Sequence, residues 1–392
     1  MVDTNTVNFQ DTKTAFEWRN DIELKQTYAL FAMMGSPSLV KVGTACLNFA
    51  FNINLPIKSL VKETLFKQFC GGETIEDSTQ TIGLLGKYSI GSILDYSVEG
   101  AETDESFDHT VAEIIQTIEK SAEDNNIPFS VFKLTGIAKI SLLEKINDGI
   151  TLSVEEKDQW EKVVQRVELL CKTAFEKDVR IFIDAEETWM QGPVDQLALD
   201  MMRKYNKDKA IVYNTYQMYL HAKLKQLKND LDIAQKDGFI LGVKLVRGAY
   251  MEKEAERAEK LNYINPVQPS KEATDKDYDS ALEFIMENHN AFALCAGSHN
   301  EQSNHLLVEL LNRYGIKENH PNFFFAQLFG MSDHISFNLS KSGYNVAKYL
   351  PYGPVKEALP YLFRRAEENT SVAGQASREL TLVGEEIARR RK

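Results

Sequence analysis

The sequence predicts an α/β fold, a (β/α)8 barrel preceded by an N-terminal helical arm. Three observations carry this expectation. From about Tyr88 onward, eight short apolar or β-branched runs alternate with longer segments of helical periodicity. Polar and charged residues gather where those runs end, and the C-terminal strand ends are where a barrel builds its site. No GxGxxG follows the first run, which disfavours a doubly wound nucleotide-binding sheet.

The expected strands are 88–96, 129–135, 180–186, 210–216, 240–247, 292–298, 322–328 and 346–351. Between them the periodicity predicts helices at 110–125, 153–177, 194–205, 218–237, 271–288, 301–314 and 334–342, and one more at 355–368 after the last strand. Eight such units are the count of a closed barrel. Residues 1–85 read as a helical arm, 86–370 as the barrel, and 371–392 as a helical tail ending in Arg389-Arg390-Arg391-Lys392. For that cluster a frayed, solvated end is expected, with a contact to anionic lipid as the alternative.

Composition narrows the function classes. A net charge of −12 and the absence of any basic tract argue against bulk nucleic-acid binding. Four widely spaced cysteines, Cys46, Cys70, Cys171 and Cys295, form neither a metal motif nor a disulfide framework, which fits a reducing cytoplasm. The polar start of the chain lacks the marks of a signal or transit peptide. The most apolar region, 28–57, is broken by Lys41, Asn48, Asn52 and Asn54. It is too polar to span a bilayer, which leaves core helices or an interfacial one.

The strand ends collect Lys133 and Thr135, Asp184 and Glu186, Asn214 and Gln217, Lys244 through Tyr250, Ser298 and His299, Gln327 and Leu328, and Tyr349. After Tyr349 comes a Pro/Gly turn and a helix with adjacent arginines, Arg364 and Arg365. Each residue has a plainer reading. Lys133 and Asp184 could be a buried pair, Lys244 could reach solvent, His299 could serve a loop carbonyl, and Gly248 only a turn. The arginines could be solvated, with Glu368 bridging Arg364 across one turn. Taken together, one strand after another presenting polar groups to one face points to a binding site. Cations from two strands and the last helix make it a site for anions. No His/carboxylate spacing suggests a metal, and no GxSxG or Cys/His pairing suggests a covalent nucleophile.

Four segments together resemble one family: Lys244-Leu-Val-Arg-Gly-Ala-Tyr250, Ile183-Asp-Ala-Glu186, Ser298-His-Asn300, and the Tyr349…Arg364-Arg365 run. In order and spacing they are similar to proline dehydrogenase, and Lys62-Glu-Thr-Leu-Phe-Lys-Gln-Phe-Cys-Gly-Gly72 resembles that family's lead-in. The resemblance implies a distorted (β/α)8 barrel holding FAD at the C-terminal strand ends. It implies oxidation of L-proline to Δ1-pyrroline-5-carboxylate by hydride transfer to flavin N5. By the same resemblance Lys133, Arg364 and Arg365 would hold the substrate carboxylate, and Leu328 and Tyr349 would pack on its ring. Asp184 and Lys244 would serve catalysis, with Asp184 orienting Tyr349. Asn214, Lys244, Val246, Gly248, Ala249, Tyr250, Ser298 and His299 would hold FAD. Electrons would pass to a membrane quinone, which implies a cytoplasmic protein peripheral at the inner face of a bacterial membrane. The chain ends without a second catalytic domain, so the dehydrogenase that consumes the product is expected to be a separate protein.

Lys244 and Asn214 stand where many bacterial members carry arginine and glutamine, and so look more like the eukaryotic type. Tyr349 would crowd a 4-hydroxyl group, so proline is expected over trans-4-hydroxyproline. The rival readings are a hydroxyproline dehydrogenase, a barrel lyase using Lys133 or Lys244 as a Schiff-base amine, and a non-catalytic sensor.

Overall fold

The computed structural model describes residues 7–53, 58–96, 102–371 and 375–392, with the side chains of 48–52 and 367–376 outside that description. Eight parallel strands in sequence order close into a barrel: β1 (Ile90–Tyr96), β2 (Phe129–Lys133), β3 (Arg180–Asp184), β4 (Val212–Gln217), β5 (Leu241–Val246), β6 (Phe292–Gly297), β7 (Phe323–Leu328) and β8 (Val346–Tyr352). Every expected strand is present. The ends shift by one or two residues; β2, for example, stops at Lys133 because Leu134–Gly136 turns into a 3-10 helix. Such strands are covered on both faces, so they read as continuous apolar runs, as in Phe-Ala-Leu-Cys-Ala-Gly of β6.

By its contacts the chain divides into two compact units, Glu99–Ala326, and Met1–Val98 with Gln327–Lys392. In the contiguous unit the inward faces of the strands carry an aromatic layer. Phe129 and Phe182 stack with centroids 4.3 Å apart. Tyr213 and Phe324 meet Phe129 edge-on at 5.6 and 4.9 Å, and the Arg180 guanidinium lies over Phe129. Side chains alternate along a strand, so residues two or four beyond this layer face the same way. Those residues are Lys133 and Asp184. Two helices went unread in the sequence, Ile140–Asn147 and Met251–Leu261. The second is Met-Glu-Lys-Glu-Ala-Glu-Arg-Ala-Glu-Lys-Leu, which has no apolar stripe to read, since the residues it buries are Glu254 and Ala258. The helix expected at 218–237 begins only at Lys223.

In the other unit, three arm helices are α1 (Thr12–Phe16), α2 (Asp21–Met34) and α3 (Pro37–Asn52). Asn20 caps α2 and Glu23 closes the capping box. The expectation of a frayed tail is corrected here. Helix Gln375–Arg390 packs Leu382 and Val383 against Ala15, Phe16 and Leu24, all buried. Glu386 takes Arg389, Arg390 and the Thr12 hydroxyl, and Arg390 also donates to the carbonyls of Phe16 and Arg19. These two arginines are occupied by the protein itself, so they are not a free cationic patch for lipid. Thr12, Phe16 and Leu24 lie more than 350 residues earlier in sequence, a pairing that periodicity alone does not reveal.

The same unit holds a buried charge network. Lys348 of β8 is fully buried; its ammonium meets Asp333 at 2.9 Å and donates to the carbonyl of Met331. Arg19 reaches Asp333 at 3.5 Å. Ser332, in the left-handed region at φ 51°, gives its N–H to the buried carboxylate of Glu379. Burial pulls the Lys348 ammonium below the usual lysine range and pushes the Glu379 carboxyl above the usual glutamate range. Arm, tail and β8 thus all bind the turn that follows β7. Removing one partner of such a network strands a charge out of water.

Candidate active site

The polar cluster of the contiguous unit forms at the ends of β2, β3 and β5. Lys133 and Asp184 are opposite each other in the register of β2 and β3. Their charged atoms are 3.6 Å apart. Lys244 donates to the other oxygen of Asp184 and lies 5.3 Å above the Phe182 ring. It is 6% exposed, so it does not reach solvent. One carboxylate held between two ammoniums leaves a net positive cluster in a dry setting, where each charge counts for more than in water. Asp184 therefore has a defined physical task, fixing both ammoniums at the barrel's C-terminal end.

Next to it Glu186 is buried and accepts from Thr135, through the backbone N–H at 3.0 Å and through the hydroxyl. Gln191 takes the Glu186 N–H, and Gln217 donates to the Glu186 carbonyl at 2.8 Å. Burial pushes the Glu186 carboxyl up to about 7 against the bonds from Thr135. Its sign for stability follows. At low pH the carboxyl is protonated in folded and unfolded chains alike. As pH rises from 4.5 toward 7 the unfolded chain ionises first, so stability falls through that window and levels above it. Glu186→Gln is expected to flatten that slope and to stabilise the protein at pH 8 by up to roughly 3 kcal/mol, with little change at pH 4.5. Urea unfolding at both pH values checks this; equal shifts at the two would remove the assignment.

After β5, Arg247 joins the site, a role that its place inside the Lys244–Tyr250 motif does not reveal. Its guanidinium donates to Asp275 at 2.6 Å, to the Ser298 hydroxyl at 2.8 Å and to the Ser303 hydroxyl at 2.8 Å, and lies 4.3 Å over Tyr278. It ties the end of β5 to the end of β6. Gly248 follows at φ 136°, and a Cβ there would meet the Tyr219 ring at 2.1 Å, so both conformation and space demand glycine. Ala249 and Tyr250 complete the turn into helix Met251–Leu261. That helix is held by Glu254, whose buried carboxylate accepts the Thr188 N–H and hydroxyl, each at 2.6 Å. Ser298 is buried beside Asn304, whose amide nitrogen bonds the carbonyls of Ser298 and Asn300. The Asn304 oxygen is buried without a hydrogen-bond partner among the described residues.

Asn214 is placed differently. It alternates with Thr215 and points, with Tyr216, toward the helices. Its amide donates to Asp195 at 2.9 Å and its oxygen accepts the Thr215 N–H, while the Tyr216 hydroxyl donates to Asp230. The structure does not bring its side chain to the Asp184 cluster.

The other unit carries Leu328, Tyr349, Arg364 and Arg365. Tyr349 is half-buried near the end of β8, and its carbonyl accepts the Phe329 N–H at 2.8 Å. Leu328 packs against a core of Met331, Val355, Leu359, Tyr361 and Leu362. Arg365 is buried on helix Leu359–Ser371 with its guanidinium 5.3 Å over the Tyr361 ring, and Arg364 beside it is half-buried. Arg365 is therefore no solvated surface cation. The side chain of Glu368, expected as the alternative bridge, lies outside the described residues.

A closed eight-stranded parallel barrel with charged side chains gathered at the ends of β2, β3 and β5 has the architecture of the barrel enzymes. The chain belongs to the proline dehydrogenase family, whose model, "Proline dehydrogenase", matches residues 78–378. It is 37% identical over 382 residues to "Proline dehydrogenase 1, mitochondrial" of Dictyostelium discoideum, covering 86% of this chain and 67% of that protein. It is 34% identical to "Carbapenem antibiotics biosynthesis protein CarD" of Pectobacterium carotovorum, covering 85% of each. It is 41% identical to "Proline dehydrogenase 1, mitochondrial" of Homo sapiens, covering 60% of this chain but only 40% of that protein. Among solved structures, proline utilization A from Bdellovibrio bacteriovorus superposes with a TM-score of 0.72 at 19% identity, over 93% of this chain and 38% of that one, which is a likeness of fold.

Proposed function

We propose that the protein is an FAD-dependent proline dehydrogenase that oxidises L-proline to Δ1-pyrroline-5-carboxylate and delivers the electrons to a membrane quinone. The family match over residues 78–378 carries this reading, and every residue given a role here lies inside it. The residues present fit a flavin dinucleotide. Lys244, Arg247 and Ser298 supply donors suited to phosphate and ring oxygens, the buried Asn304 oxygen supplies an acceptor in want of a donor, and the tight turn at Gly248 admits only backbone. Lys244, Val246, Gly248, Ala249, Tyr250, Ser298 and His299 would hold it. Asn214 would contribute from the strand backbone, because its amide is bonded to Asp195. FAD supplies the acceptor for the hydride lost from the proline ring.

The protein's own part is binding and positioning. Lys133, Arg364 and Arg365 hold the carboxylate through charge-assisted bonds and so fix the ring. Asp184 keeps the Lys133 and Lys244 ammoniums in place. A carboxylate partner favours the charged form of a lysine, whereas a Schiff-base lyase needs the neutral amine. Leu328 and Tyr349 pack on the ring and exclude water. The imine product then leaves the site. A quinone acceptor places the protein at the surface of a membrane.

Anaerobic addition of L-proline to the purified protein is expected to bleach its visible flavin bands, and trans-4-hydroxyproline to do so far less well. Tyr349→Ser should narrow that preference by about tenfold, the worth of one steric contact. A flavin spectrum that proline leaves unchanged would remove the substrate. A protein that binds no FAD would remove the flavin reading altogether.

A further inference from the structure

The arm carries an apolar surface with an unusual charge pattern. Between Leu24 and Lys62 the chain has four lysines, Lys25, Lys41, Lys58 and Lys62, and no aspartate or glutamate. This is a break from a protein that carries 57 acidic residues in 392. Within the stretch α3 is apolar on two sides. Its inner side, Val40 and Leu47, packs on the core around Met34, Val61, Phe66 and Phe69. Its outer side exposes Leu39 at 58%, Val42 at 61% and the thiol of Cys46, spaced i, i+3 and i+7 along one stripe. Elsewhere in the same acid-free stretch Met33, Ile53 and Leu60 are exposed at 53, 50 and 64%. A helix that is apolar all round is normally buried all round, and clustered exposed apolar groups of this kind mark an interaction surface.

The charge pattern selects what covers it. Lys58 and Lys62 are engaged by Glu73, but Lys25 and Lys41 are exposed, and the acid-free stretch presents no carboxylate to repel an anion. No single helix among the described residues is long and apolar enough to cross a bilayer. The one pair that passes together, α2 with the start of α3, bends by 100° at its break. Apolar residues beside lysines on helices too short to span suit insertion to the depth of the headgroups rather than crossing.

We propose that the outer stripe of α3, Leu39, Val42 and Cys46, is the surface by which the protein lies on an anionic lipid bilayer, and that the arginine-ended C-terminal tail is not. This rests on the membrane location of the proposed function and names the part of the chain that makes the contact.

The thiols divide usefully for the test: Cys46 is exposed, while Cys70, Cys171 and Cys295 are buried. An environment-sensitive fluorophore on Cys46 of the full-length, flavin-loaded protein should shift to the blue on adding vesicles of phosphatidylglycerol and phosphatidylcholine, and much less with phosphatidylcholine alone. In flotation assays Leu39→Glu with Val42→Glu should weaken vesicle binding at least tenfold, with thermal unfolding and proline-dependent dye reduction in solution unchanged. Arg390→Gln should leave binding unchanged. If wild type floats and the double variant floats equally, the surface is wrong and the membrane location stands. If wild type does not float, both fail. If the label shifts with protein concentration alone and the double variant becomes monomeric, a second copy covers the stripe and the lipid assignment is overturned.

Discussion

Arg365→Met is expected to lower kcat/KM for L-proline by about 100-fold or more, nearly all of it in KM. A charge-assisted bond to a carboxylate is worth roughly 1.5–3 kcal/mol, and a bidentate pair more; each 1.36 kcal/mol is tenfold in rate. Methionine fills most of the volume beneath the Tyr361 ring, so the buried position is not left as a void. Steady-state kinetics give the answer, with the flavin spectrum and melting temperature as controls for folding. An unchanged KM would show that the buried guanidinium serves the helix and not the substrate. Arg365→Lys should recover only part of the loss, since an ammonium replaces the fork by a point charge.

Asp184→Ala is expected to act on stability as well as activity. It leaves the Lys133 and Lys244 ammoniums close together without the carboxylate between them. Breaking a buried pair from one side costs about 3–5 kcal/mol, readable as a lowered urea midpoint at unchanged m. Proline oxidation should fall by at least 100-fold, because both ammoniums lose their fixed geometry, and 1 Å of misplacement can cost about that much. Combining Asp184→Asn with Lys133→Met separates the effects. Removing a charge of each sign should restore most of the stability and none of the activity. Recovery of both would reduce Asp184 to a structural residue.

The barrel was legible in the sequence because parallel strands buried on both faces leave continuous apolar runs and polar C-terminal ends, and Asp184, Lys133 and Lys244 lie at such ends. What escaped has definite causes. Asn214 was read as part of the same polar set, yet the two-residue strand period puts it with Tyr216 on the helix side; counting alternation from Lys244 and its neighbour Thr215 would have shown this. Arg247 stood inside a motif noticed for its neighbours, and its bonds to Asp275, Ser298 and Ser303 join segments far apart in sequence. Glu186 sat in view, but its raised carboxyl follows from burial, which local sequence does not encode. Helix Met251–Leu261 was hidden by its charges, although its Glu254 is among the most buried carboxylates.

The grip of helix Gln375–Arg390 on α1 and α2 bears on the order in which the chain acquires its shape. Residues 99–326 are contiguous, so their local contacts form while the remainder is still being synthesised. The unit built from the first 98 residues has no such option. Phe16 and Leu24 must wait for Leu382 and Val383, and Arg19 for Asp333. During that wait the arm's apolar side chains are uncovered, and closing a loop of more than 300 residues is slow. The newborn chain therefore passes through a stage with a formed middle and an unclasped beginning. In that interval it is most open to aggregation, proteolysis or capture by a chaperone.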